Sequence, residues 1–151
     1  MAQCIVLPLL EKKEIAPEQI IGVVANKKNV DSVLELMPKG VRVFSADDNE
    51  ASAAWSSPVK LLAVKPQQLN DVANNLNRLQ KHIKNDSDSL LISILAGIKL
   101  TKLSNVFSGH VCVRSVPNTP SLVQSGLTGL SFGNNLTNYQ REVVRKIFSP
   151  I

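Results

Sequence analysis

SLLISILAG (residues 89–97) carries no charged side chain and ends on Ala96 and Gly97. A continuous apolar run of this kind is the pattern of a strand buried on both faces, as in the centre of a parallel sheet. Just upstream, QLNDVANNLNRLQKHI (68–83) places Leu69, Val72, Leu76, Leu79 and Ile83 on one helical face. Before that, VKLLAV (59–64) reads as a short strand stopped by Pro66. Two further strand and helix pairs come earlier. IIGVVA (20–25) is followed by NVDSVLELM (29–37), which Pro38 and Gly40 end, and VRVF (41–44) is followed by NEASAAWSS (49–57). Downstream, HVCVRSV (110–116) and LTGLSFG (127–133) read as two more strands and NYQREVVRKIF (138–148) as a closing helix. Strands alternating with helices predict an α/β fold with a mainly parallel sheet covered on both faces.

The bulk properties narrow the function. A chain of 151 residues with 44% hydrophobic content is long and apolar enough for one globular domain, here residues 1–151. Seventeen Lys and Arg against twelve Asp and Glu give a net charge of +5, a mild bias rather than the clustered field of a nucleic-acid binder. An aromatic content of 4% likewise argues against a base-stacking surface. No stretch approaches the roughly 18 apolar residues of a membrane span, and Ile5 to Leu10 is too short for a signal segment, so a cytoplasmic location is expected. Cys4 and Cys112 lack metal-ligand spacing and are expected to be inert thiols.

Ligands of open parallel sheets bind beyond the carboxyl ends of the strands, which directs attention to the loops there. After the first strand, Asn26, Lys27 and Lys28 follow Ala25 with no acidic residue among them. A site selective for NAD offers Asp or Glu at this strand end, whereas a 2'-phosphate calls for cations and neutral donors; two lysines also simply solvate a turn. After the second strand, Asp47, Asp48 and Asn49 read first as helix caps, with Asn49 also able to face an adenosine. After the third, Lys65 and Pro66 place a charge at the sheet edge, within reach of ribose or phosphate or merely solvated. After the fourth, Ala96 and Gly97 let a flat ring approach the backbone closely. After the fifth, Pro117 and Pro120 enclose Asn118 and Thr119 in a rigid polar loop.

Taken together, LLAVKPQQL (61–69), LLISILAGI (90–98) and VRSVPNTPSLVQSGLTGL (113–130) resemble pyrroline-5-carboxylate reductases, enzymes that reduce a cyclic imine to proline. The order and spacing of the blocks are similar to that family's coenzyme-binding domain, over nearly the whole chain. The resemblance implies a Rossmann-like, doubly wound, mainly parallel sheet and NADPH as coenzyme, with NADH as an option. Carried over by position, Asn26, Lys27 and Lys28 lie near the adenosine end and Asn49 close to its ribose. Ala63, Val64, Lys65 and Pro66 run along the coenzyme, and Leu95, Ala96 and Gly97 line its nicotinamide half. Asn118, Thr119 and Pro120 shape the floor where a small-molecule imine meets the hydride. The stretch EASAAWSSP (50–58) is about one residue longer than usual for the family.

The resemblance also implies two omissions. MAQCIVLPLL (1–10) is similar to the family's first helix, which directly follows a strand and a glycine turn, so the first strand of the fold is expected to be missing and its place in the sheet unfilled. The helical domain that builds the family's oligomer and much of its imine pocket is expected to lie beyond Ile151. The chain is accordingly expected to be an incomplete NAD(P)-binding domain, inactive alone, or else a remnant that binds nucleotide weakly or associates with a subunit. Pro8 inside the first helix removes one backbone hydrogen bond. No catalytic acid, base or metal site is assigned, and His82 and His110 are read as surface residues.

Overall fold

The computed structural model describes residues 1–84, 89–118, 120 and 125–151. Its β-strands form two sheets. In the first, β1 (Ile21–Val24) and β2 (Arg42–Ser45) run parallel, with Ile21 opposite Arg42 and Val24 opposite Ser45. In the second, β3 (Val59–Leu62), β4 (Leu90–Ser93), β5 (Val111–Val116) and β6 (Gly129–Phe132) lie side by side in that order. The β3–β4 and β4–β5 pairs are parallel, and β6 turns back antiparallel on β5. Among the described residues no ladder joins β1 to β3, so the break expected between these two strands is present.

Strand β4 explains the layering. All four of its residues are buried, and alternate side chains enter opposite faces. Leu91 joins one core with Trp55, Leu69, Leu79, Leu103 and Phe107, supplied by α3 (Ser52–Trp55), α4 (Leu69–Leu79), α5 (Leu100–Val106) and the residue after α5. Leu90 and Ile92 join the other with Ile5 and Leu9 of α1 (Ala2–Glu11) and Val144 and Phe148 of α6 (Asn138–Phe148). The remaining helix, α2 (Val30–Leu34), packs against β2. The polar N-terminus of α6 is closed by Thr137: its hydroxyl accepts from the Gln140 amide N–H at 3.1 Å, while Gln140 Oε1 accepts from the Thr137 N–H at 2.9 Å. Helix α1 contains a buried Pro8 and continues through it to Glu11, so the proline removes one ladder bond without ending the helix.

Two expectations are corrected. His110 is buried, its ring edge-on to Trp55 and Phe107 with centroids 5.9 and 6.2 Å away. The short turn after α5 folds it back onto the same apolar layer, so its polar sequence setting is no guide to exposure; His82 is exposed as expected. Asp48 stands at the N-cap position of the turn Asn49–Ala51 but makes no cap bond. Its carboxylate Oδ2 instead accepts from the Ser45 backbone N–H at 3.0 Å, closing the loop back on the strand it leaves.

Candidate functional site

The strands end where the chemistry was sought. Val24 and Ser45 are register partners at the ends of β1 and β2, so the segments 25–28 and 46–49 leave the sheet as neighbours. Asn26, Lys27 and Lys28 are exposed there, Lys27 opening a single 3₁₀ turn through Asn29. Asn49 is exposed at the start of its own 3₁₀ turn. In the second sheet Leu62, Ser93 and Arg114 lie side by side, which brings the loops after β3, β4 and β5 to one edge.

In the β3 loop Ala63 and Lys65 are exposed, while Val64 and Pro66 are half-buried, Val64 packing on the core. The Lys65 backbone N–H donates to Gln68 Oε1 at 3.1 Å, and Pro66 opens the turn that leads into α4. The backbone of this loop is thereby held while the ammonium group stays in solvent. In the β4 loop Leu95 is buried in the core, so only its backbone faces the edge, whereas Ala96 and Gly97 are exposed. Gly97 has φ +72° and nothing within 4 Å of where a Cβ would stand, which leaves the backbone open to a flat group. In the β5 loop Asn118 and Pro120 are exposed, and Asn118 Oδ1 accepts from the Leu127 N–H at 2.9 Å, pinning the loop to the approach of β6. Thr119 lies outside the described residues.

A family model described as NADP oxidoreductase, coenzyme F420-dependent, matches residues 1–97. The chain belongs to that family. Over its whole length it is 34% identical to the pyrroline-5-carboxylate reductase of Synechocystis and 32% identical to that of Pasteurella multocida, in each case covering 52% of the relative. Among solved structures, a pyrroline-5-carboxylate reductase from Coxiella burnetii superposes with a TM-score of 0.81 at 27% identity, over 99% of this chain and 52% of that one. The Plasmodium falciparum pyrroline carboxylate reductase, crystallised with NADP bound, gives a TM-score of 0.72 at 23% identity, over 98% of this chain and 50% of that one. The chain therefore has the Rossmann-like α/β fold of these reductases and spans about half the length of the relatives it matches. No helix among the described residues is long and apolar enough to cross a membrane.

Several residues that shape this family member's loops were not singled out from sequence. Ser45, Ser93 and Ser115 are buried near the ends of β2, β4 and β5. Ser45 Oγ accepts from the Asp47 N–H at 3.3 Å, Ser93 Oγ from the Leu95 N–H at 3.3 Å, and Ser115 Oγ donates to the Ser93 carbonyl at 3.1 Å. Each satisfies backbone groups where a ladder stops, which fixes the first turn of the loop that follows. A small polar residue closing an apolar strand is the signal that could have revealed them. Asn75 and Arg78 of α4 carry no such signal, yet both reach the loop after β2: Asn75 Nδ2 and Arg78 Nη2 each donate to the Ala46 carbonyl at 2.6 Å.

Proposed function

We propose that this chain is the coenzyme-binding part of a pyrroline-5-carboxylate reductase, serving the NADPH-dependent reduction of 1-pyrroline-5-carboxylate to L-proline in proline biosynthesis. The observation that carries the reading is the arrangement of the three similar blocks. The segments within them that follow the strands, 63–66, 95–97 and 117–118, leave one edge of β3, β4 and β5, in a chain similar throughout its length to these reductases.

The residues present suit a dinucleotide. Lys27 and Lys28, with Asn26 and Asn49 beside them, offer cations and neutral donors where a 2'-phosphate would lie, and no carboxylate stands at 25–28 to favour an unphosphorylated ribose. Ala63, Ala96 and Gly97 present little side-chain bulk, so a ribose or a flat ring can lie close to the backbone. Bound NADPH supplies the hydride; the protein holds and orients. Asn118 and Pro120, with Thr119 between them, would bound the side from which the imine carbon approaches, and no residue of this chain is assigned as acid or base. By this reading residues 1–151 act as an incomplete NAD(P)-binding domain, the complete enzyme is a cytoplasmic homo-oligomer, and no nucleic acid or membrane is involved.

A second reading is supported by the sides of β1 and β3 that no strand pairs with among the described residues, since open strand edges favour association. It makes the chain a nucleotide-binding or subunit-association module without turnover. Calorimetry with NADPH and NADH, followed by an assay of 1-pyrroline-5-carboxylate-dependent NADPH oxidation, separates the two. Micromolar NADPH binding supports the coenzyme site. Oxidation by the chain extended with a reductase's flanking segments supports the reductase reading, and an extended chain that binds NADPH but leaves the imine untouched refutes it.

A further inference from the structure

The Arg78 guanidinium bridges two points of the loop after β2: Nη2 donates to the Ala46 carbonyl at 2.6 Å and Nη1 to Asn49 Oδ1 at 3.2 Å. The same carbonyl takes a second bond from Asn75 Nδ2, and Asn75 Oδ1 accepts from Trp55 Nε1 at 3.1 Å, so one of the two acceptors the fork grips is also tied to a side chain anchored on the core. A guanidinium donates and never accepts. It can therefore pair only with the oxygen of the Asn49 amide, and this removes the two-fold ambiguity of the group: Oδ1 is committed to Arg78 and the Nδ2 donors are turned to the other side. Nδ2 has no assigned acceptor among the described residues. Asn49 is exposed, in a loop that leaves β2 next to the strand end from which the loop carrying Lys27 and Lys28 leaves β1.

We infer that Arg78 is a positioning residue for coenzyme choice, locking the Asn49 amide so that it offers donors to an acceptor-only group, the 2'-phosphate of an adenosine. An amide free to flip could present either Oδ1 or Nδ2 to a ribose hydroxyl, which both donates and accepts, and would distinguish the two coenzymes poorly. The locked amide meets phosphate oxygens with hydrogens only. Asp47 and Glu50 are exposed carboxylates of the same loop, to which the Arg78 fork brings a positive charge at Ala46 and Asn49; Asp48 is engaged by the Ser45 N–H. This inference rests on the reading of Asn49 as a coenzyme contact.

The test measures the affinities of the full chain for 2',5'-ADP and 5'-ADP by calorimetry, because these probe the adenosine end alone. The chain is expected to prefer 2',5'-ADP. Arg78→Gln should lower that preference about tenfold, the scale of one charge-supported hydrogen bond, with 5'-ADP affinity kept. Asn49→Ala should lower it equally, and the double variant no further, since Arg78 acts through Asn49. Arg78→Lys keeps the charge but cannot hold both acceptors in a fork, and should restore only part of the preference; it also serves if the Gln variant does not fold. A chain that binds neither nucleotide overturns the coenzyme reading and this inference with it, whereas one that binds both alike overturns the inference alone. A preference intact in both Arg78 variants, or one that Arg78→Gln lowers further in the Asn49→Ala background, overturns the inference alone.

Discussion

Trp55 Nε1 and Asn75 Oδ1, 20 positions apart in the chain, are joined by a 3.1 Å hydrogen bond that ties α3 to α4. The indole ring is buried and stacks on Phe107 with centroids 6.1 Å apart, so one side chain serves both the core and the base of the β2 loop. Trp55→Phe keeps most of the packing and removes the donor. It is expected to lower stability by about 1–2 kcal/mol, the usual cost of leaving one acceptor unmet, whereas Trp55→Ala should lose about 3–5 kcal/mol. Urea unfolding of both variants checks this. Equal losses would mean that the hydrogen bond, not the ring, carries the contribution of Trp55.

Lys60 is only 8% exposed, an uncommon place for a lysine inside a strand. Its Nζ donates to the Ser57 carbonyl at 2.8 Å and to Ser89 Oγ at 2.7 Å, joining the starts of β3 and β4 at the edge opposite the proposed site. Lys60→Met preserves the length of the stem and leaves both oxygens without this donor. A loss of about 1–3 kcal/mol in chemical denaturation is expected, with nucleotide affinity unchanged. A fall in affinity at undiminished stability would show that Lys60 acts on the site rather than on the fold.

The layered α/β fold was legible because Leu90, Leu91 and Ile92 are apolar on both sides of β4, and only a strand covered on two faces needs that. The face of α4 was legible for a similar reason: Leu69 and Leu79 are buried and Val72 and Leu76 pack beside them, whereas Ile83, expected on the same helix, reaches that core from beyond a 3₁₀ turn at Gln80–His82. Strand ends were less so. The apolar pattern runs past Leu62 to Val64 and past Ser93 to Leu95, yet the strands stop at Leu62 and Ser93: Ile94 N–H still reaches the Leu62 carbonyl at 3.0 Å, and the Leu95 N–H is then taken by Ser93 Oγ instead of a neighbouring strand. Ala96, Gly97 and Asn118 could be placed at loops from spacing alone. Arg78 could not, because it sits on the polar face of an amphipathic helix and its partners lie 29 and 32 positions earlier. Only the packing of α4 beside the β2 loop gives that charge a task.

Gly97 holds φ +72° at the turn after β4. A Cβ there would meet no atom within 4 Å, so Gly97→Ala isolates the backbone cost of the left-handed conformation, about 1–2 kcal/mol. Thermal unfolding should register that loss. If the nicotinamide half lies along this turn, NADPH affinity should fall while that for 2',5'-ADP, which lacks the nicotinamide half, stays constant. A variant with unchanged melting temperature would show that the turn relaxes to another conformation at no cost.

Cys112 lies in the core between layers, where burial pushes its thiol above the ordinary value and a hydrogen bond with Ser104 opposes the shift in part. A thiol that ionises later in the folded state than in the unfolded chain contributes stability that is fully present below the unfolded thiol value, about 8.5. Above it the unfolded chain loses the proton first, and the contribution disappears as pH rises towards the folded value. The stability of the chain should therefore fall more steeply between about pH 8 and 10 than that of Cys112→Ala, which lacks the titrating group. Denaturation measured across that range for both proteins gives the comparison, and subtracting the two curves removes lysine and tyrosine titration common to them. A constant difference from pH 7 to about pH 10 would show that the thiol ionises alike in both states, and that Cys112 reaches water in the native fold.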